Sequence, residues 1–487
     1  MTTEVTTAVV DVEGSTTRTC RWKQWTIHVG QDLTDLQREV DQSTASNDED
    51  DDDPDAVPIK LRLMVLRNQF RIAGTYWRFW QDAFNVVGQL PRLQHLTITS
   101  FLTGSGKRTL HLSLLADFLS KATQLQELVL DQVGLYVPED RAASVLDQLS
   151  CVCQTHRALT RVTMSRFFVP YYLSSREQDR SNSSSGPQVT LPYTSQLVTA
   201  LASLPRLETF SLGASATHTP SSDNSSSRRQ HIDEAALQLL LQHDRIHTLQ
   251  LENLDVLAQN ETGLSCQDST RGLSSLRFSN CTFGHRMQCL PGFGAASLVL
   301  TELDLTNSSW FDAGAGVLVQ SFCAALSQNK TLERLILCQA RLGGSEAARH
   351  RNLLKIIKAC TQHPVLSTLD IRGLYDYHYY DDDMSRPIGL FHETLNAVIL
   401  LLKCNRTLQT VLVDDDIDHP SVLPSLAAVS FHLKLNACGY HHQHSLPSSS
   451  NESSFLSELS EDKALFNRHE LGYLYSVVRS NPLLRAD

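Results

Sequence analysis

The sequence predicts an α/β solenoid, with short parallel strands along a concave face and helices on the convex side. Three observations lead there. The first is a pattern of apolar residues at positions one, four and six that recurs ten times. It runs Leu93-x-x-Leu96-x-Ile98, Leu125-x-x-Leu128-x-Leu130, Leu159-x-x-Val162-x-Met164, Leu207-x-x-Phe210-x-Leu212 and Ile246-x-x-Leu249-x-Leu251. It continues as Leu273-x-x-Leu276-x-Phe278, Leu300-x-x-Leu303-x-Leu305, Leu332-x-x-Leu335-x-Leu337, Leu366-x-x-Leu369-x-Ile371 and Leu408-x-x-Val411-x-Val413. The second is the spacing: 32 residues from Leu93 to Leu125, 34 from there to Leu159, and 27 for both Ile246 to Leu273 and Leu273 to Leu300. Units of this length hold a strand and a return helix of ~10 residues. The third is what precedes the patterns. Leu353-Leu354-Lys355-Ile356-Ile357 and the set Leu395, Val398, Ile399 and Leu402 each put a one-sided apolar stripe at helical period ahead of a strand. Positions one, four and six then face a core that grows along one axis, so 487 residues need no division into separate globules.

In chain order, residues 1–57 are an N-terminal segment expected to be largely disordered. Within it, Asp48, Glu49, Asp50, Asp51, Asp52, Asp53 and Asp55 form a like-charge run that solvates rather than packs. Residues 20–29 alternate in polarity and make a candidate edge strand. Residues 58–89, with Leu61, Leu63, Trp77, Trp80 and Phe84, read as the N-terminal cap that an array needs where its core would meet water. The array occupies 90–437. Three intervals are long, and each excess falls on a polar insert: Ser-rich 174–188, Ser-rich 214–230, and the Tyr/Asp insert 375–383. The Ser-rich inserts carry too little apolar surface to order themselves. Asn329-Lys-Thr331 and Asn405-Arg-Thr407 stand just before strand leucines and read as turn residues. Residues 438–487 supply a C-terminal loop and a capping helix.

The formal net charge is -11, and removing the acidic run leaves about -4. An array so close to neutral lacks the clustered basic face of a nucleic-acid binder. No apolar run approaches the ~20 residues of a membrane span. The first residues lack the basic and apolar regions of a secretory signal, and Glu4, Asp11 and Glu13 are wrong for a mitochondrial leader. The expected compartment is therefore the cytoplasm, with the nucleus open. The eleven cysteines are then expected as reduced thiols, an odd number that fits no complete disulfide set.

The repeating unit resembles the ribonuclease-inhibitor-like class of leucine-rich repeats over roughly Leu90 to Ala437. The segment Phe431-His-Leu-Lys-Leu-Asn-Ala-Cys-Gly439 is similar to the closing segment of some intracellular members. The resemblance implies a horseshoe of alternating strand and helix. The family places Asn or Cys three residues after the last strand leucine. Here that place holds Phe101, Val133, Phe167, Ser215, Leu254, Cys281, Ser308, Ala340, Leu374 and Asp416, so only Cys281 conforms.

Several short motifs have a chemical reading and a plainer one. Gly104-Ser-Gly-Lys107 lacks the first glycine and the Ser/Thr of a phosphate loop, and a repeat turn explains it. Cys266, Cys281, His285 and Cys289 are soft ligands, but their spacing is not the paired arrangement of structural zinc. Cys151-x-Cys153 is one residue too close for the redox motif. The group His441, His442 and His444 reads as a tract of the terminal loop, where metal binding would be at most adventitious. No cofactor, metal or catalytic set is expected.

The expected binding surface is the concave strip, polar and mixed in charge, which either binds weakly, binds through the candidate hot spots Arg161, Arg277, Arg334 and Arg372, or is merely solvated. The insert at 375–383 supplies the aromatics Tyr375, Tyr377, Tyr379 and Tyr380, which either overhang the strip to meet a partner or fold back on their own repeat. The expected function is a non-catalytic protein-binding scaffold with an unidentified protein partner and no nucleic acid or membrane. Oligomeric state is left open. The alternatives are a GTPase regulator, which the resemblance allows but which should carry a sharply charged rim, and a recognition subunit of a ubiquitin ligase. The latter needs a helical docking motif, and residues 21–72 show no clear one.

Overall fold

The computed structural model describes residues 2–8, 19–28, 37–38, 41, 59–65, 73–90, 92–100, 109–167, 193–214, 230–257, 272–283, 299–309, 315–374, 385–414 and 420–437. The chain forms two compact units, Met1–Glu261 and Thr262–Asp487. Each contains a parallel strand ladder with a layer of helices, the leucine-rich-repeat architecture.

In the first unit the strands are β1 (Thr2–Ala8), β2 (Thr19–His28), β3 (Ile59–Val65), β4 (Leu93–Ser100), β5 (Thr109–His111), β6 (Glu127–Asp131), β7 (Gly134–Tyr136), β8 (Arg161–Phe167), β9 (Thr209–Ala214), β10 (Gln230–Asp233), β11 (Thr248–Glu252) and β12 (Leu254–Leu257). Its helices are α1 (Ala73–Val87), α2 (Leu112–Lys121), α3 (Ala142–Thr155), α4 (Thr194–Ala202) and α5 (Glu234–Leu241), each packed against the next. The main ladder runs β2-β3-β4-β6-β8-β9-β11, all parallel, with β1 antiparallel to β2 at its edge. The candidate edge strand at 20–29 corresponds to β2, which is not at the edge because β1 pairs along its outer side. The first strand, β1, has no counterpart among the sequence expectations.

Register shows why the leucines recur. Leu61, Leu96, Leu128, Val162, Phe210 and Leu249 stand side by side across six strands. Leu63, Ile98, Leu130, Met164, Leu212 and Leu251 form a second such column, and all twelve side chains are buried. Burying one aliphatic side chain stabilises by ~1.5–3 kcal/mol, so these columns dominate the cohesion of the unit.

The second unit repeats the plan with β13 (Ser275–Ser279), β14 (Thr282–Phe283), β15 (Glu302–Asp304), β16 (Arg334–Ile336), β17 (Thr368–Asp370) and β18 (Thr410–Leu412). Its helices are α6 (Ala315–Gln328), α7 (Glu346–Cys360), α8 (Ser385–Cys404) and α9 (Leu423–Ala437). Here Leu276, Leu303, Leu335, Leu369 and Val411 align in one buried column.

Two turns close each repeat. Where strand gives way to return path, position eight enters the left-handed region: Gln132, Arg166, Asn253, Asn280, Asn307 and Gln339 have φ of 51–56°, and Gly373 has φ of 65°. The kink turns each N–H along the ladder. Those of Gln132, Asn280, Asn307 and Gln339 donate to the carbonyl one position earlier in the next repeat. Past the kink, the place where the sequence resemblance implies a polar ladder holds buried apolar side chains: Val133, Phe167, Leu254, Ala340 and Leu374. Cys281 and Ser308 are buried in the same column, and the Ser308 hydroxyl donates to the Phe278 carbonyl at 2.8 Å.

The polar ladder stands instead at the turn from helix to strand, three residues before the first leucine. The Asn405 carboxamide accepts from the N–H of Thr407 and Leu408 and donates to the carbonyls of Cys360 and His363, both at 2.9 Å. Asn329 accepts from Thr331 and Leu332 in the same way. In two repeats of the first unit, histidine takes this role, while Leu90, Ala122 and Leu204 hold the same place in the others. His156 Nδ1 accepts from the Leu159 N–H while Nε2 donates to the Ala122 carbonyl at 3.0 Å, and His243 Nε2 donates to the Leu204 carbonyl at 3.0 Å. Burial holds both histidines below their ordinary pKa, in the neutral form these bonds require.

Candidate interaction surface

Alternation along each strand sends positions three, five and seven to the face opposite the leucines. In the first unit, Lys60, His95, Glu127 and Arg161 form one row of register neighbours across β3, β4, β6 and β8. Arg62, Thr97, Val129 and Thr163 form the next. Lys60, Arg62 and Arg161 are exposed, while His95 and Glu127 are half-buried and joined at 2.6 Å between Nδ1 and Oε2. The His95 hydrogen bond holds the Glu127 carboxyl below its ordinary range against the cost of burial, and the charges of His95, Arg161 and Lys60 pull the same way. Asp131 is occupied too: Arg166 reaches both its oxygens, at 2.7 and 2.8 Å, and the Ser165 hydroxyl donates at 2.8 Å.

The second unit presents a different surface. Arg277 on β13 meets Asp304 on β15 at 3.1 Å, and Arg334 on β16 lies 3.7 Å from Glu302 on β15. Arg372 forks onto Asp370 at 3.0 and 2.8 Å. The Gly373 N–H donates to Asp414 at 2.6 Å, so at the last repeat a carboxylate replaces the carbonyl used elsewhere. Three of the four arginines predicted from the sequence thus share their charge with a neighbouring acid, while Arg161 has no acid within salt-bridge distance among the described residues. Asp304 and Asp370 are nearly buried, which makes their bonds to arginine part of the repeat's own structure.

Lys60 and Arg62 were not among the predicted site residues, because 58–89 reads as a cap. The signal was present: Ile59-Lys60-Leu61-Arg62-Leu63 alternates at strand period. Tyr375, Tyr377, Tyr379 and Tyr380 lie outside the described residues, directly after Leu374. So do Gly104 to Lys107, Cys266, His285, Cys289, the histidines at 441–444, the acidic run at 48–55, the inserts 174–188 and 215–229, and residues 438–487. Cys281 is described and buried. Among the described residues, no group of His, Cys, Asp and Glu is placed to hold a metal ion, and no helix is long and apolar enough to cross a membrane.

No protein-family model matches the chain, and no curated protein matches it. Among solved structures, the chain is similar to the crystal structure of an internalin from Listeria monocytogenes. That match has 13% identity and a TM-score of 0.35, and covers 77% of this chain and 78% of the other.

Proposed function

We propose that the chain is a non-catalytic protein-binding scaffold of the ribonuclease-inhibitor-like kind. It acts in the cytoplasm on a protein partner through its exposed strand faces and rim loops. The observation that carries this reading is the pair of strand ladders whose outward positions stand in register on buried apolar columns. A surface held by such columns meets a partner with little ordering cost.

Size sets a condition. Six strands at ~4.8 Å spacing and ~17 Å length give a flat area of roughly 400 Å², about half of what one side of a standard interface buries. The rim therefore has to contribute, and the Tyr/Asp insert 375–383, which follows Leu374 in the sequence, is proposed as one such element. The test is photo-cross-linking of the full chain in cell extract, with mass spectrometry of the captured peptides. Cross-links at His95, Glu127, Arg161, Arg277, Arg334 and Arg372 or within 375–383 are expected. Cross-links confined to 48–55 or to the helix layer would overturn the reading.

A further inference from the structure

We infer that the strand face between β3 and β8 in the first unit binds an extended acidic peptide. The inference rests on the scaffold reading above and narrows it to one partner chemistry. Four permanent cations, Lys60, Arg62, Arg161 and Arg166, project from this face or its rim. The two carboxylates among them, Glu127 and Asp131, are engaged by His95 and by Arg166 with Ser165. That leaves Lys60, Arg62 and Arg161 exposed, with no acid in salt-bridge distance among the described residues. The chain as a whole carries -11, so a local excess of positive charge runs against its composition.

The shape of the face suits an extended chain. Thr97, Thr163, Thr209 and Ser211 supply short hydroxyls in the same rows, and the face has no aromatic side chain among the described residues. Such a floor offers hydrogen bonds and charge but no deep apolar slot for a helix. Lys60 and Arg161 are three strands apart in one row, ~14 Å at the usual strand spacing. An extended peptide advances ~3.4 Å per residue, so acids at positions i and i+4 span that distance. Arg62 lies two residues from Lys60 along β3, ~7 Å, within reach of an acid beside the first.

The test uses the full chain and fluorescence anisotropy of a short fluorescein-labelled Asp/Ser peptide carrying acids four residues apart. Binding is expected at low salt and should weaken as salt rises. The variant carrying Lys60→Gln, Arg62→Gln and Arg161→Gln should bind about tenfold less tightly. Lys355→Gln, Lys358→Gln and Lys403→Gln, which remove the same charge from helices α7 and α8, should leave binding unchanged. Circular dichroism establishes that both variants fold, and Arg161→Lys, which keeps the charge, should retain binding if the triple variant does not fold. Absence of binding, or equal weakening by both triple variants, overturns the inference. Equal competition by single-stranded oligothymidine also overturns it, since the face would then read charge alone. A gain in affinity when Asp50, Asp51, Asp52 and Asp53 are replaced by serine supports it and identifies the chain's own acidic run as an occupant. If the peptide fails while cross-linking still captures a partner on the second unit or on 375–383, the acidic-peptide assignment falls and the scaffold reading stands.

Discussion

His363→Asn separates the role of the helix-to-strand ladder from that of the apolar columns. His363 occupies the ladder position that Asn329 and Asn405 hold in the flanking repeats, three residues before the first leucine. Its side chain is 3% exposed, and neither ring nitrogen has a hydrogen-bond partner. Burial therefore pushes its pKa down from the ordinary 6.5 to about 4. The folded state then binds fewer protons than the unfolded state between those values, so stability rises with pH across the window. The contribution is complete above pH 6.5 and is lost as pH falls towards 4. By pH 5 the loss attributable to this one residue is about 2 kcal/mol.

Asparagine cannot titrate there, and its carboxamide can accept from the Leu366 N–H as Asn329 and Asn405 do in their own repeats. We expect His363→Asn to match the native protein within ~1 kcal/mol at pH 7.5. At pH 5 it should be more stable by about 2 kcal/mol relative to that baseline. Urea unfolding at the two pH values reads this directly. His156 and His243 titrate in both proteins and cancel in the comparison. A difference below ~0.5 kcal/mol at pH 5 would refute the claim that burial keeps His363 neutral.

Four further outcomes follow from the same repeat geometry. Asn405→Ala removes hydrogen bonds to four backbone groups and should cost ~3 kcal/mol in urea unfolding, while a loss near zero would mean water replaces them. Gly373→Ala puts a Cβ against Gln339 Cγ at a φ of 65°, and should destabilise the protein by more than ~1 kcal/mol in thermal unfolding. Gln339→Gly relieves its own left-handed backbone and should be neutral or stabilising by up to ~1 kcal/mol. Leu369→Ala should cost ~3 kcal/mol, against less than ~0.5 kcal/mol for Leu400→Ala, because Leu369 is fully buried and Leu400 is 60% exposed.

The apolar period was legible from local sequence because a strand buried on one face must alternate, whatever its neighbours are. Leu96, Leu128, Leu249 and Leu303 announce their burial within six residues of chain. The asparagines before Leu332 and Leu408 were legible for a similar reason, since a side chain bonding its own turn needs no distant partner. The left-handed position was half-legible: Asn253, Asn280, Asn307 and Gly373 suit it, whereas Gln132, Arg166 and Gln339 do not announce it.

Only the tertiary structure decided which charges are spent and which remain. Arg277 and Asp304 are 27 residues apart and meet because two strands align in one register, a relation no local pattern encodes. Sequence placed Arg161, Arg277, Arg334 and Arg372 in one class, yet their surroundings differ, because pairing depends on the residue one strand away. The same holds for the histidines of the ladder: His156 finds a carbonyl in the preceding repeat, and His363 finds none. Local sequence determined the fold here because hydrophobic burial depends on period alone, whereas hydrogen bonds and ion pairs depend on partners that only stacking brings near.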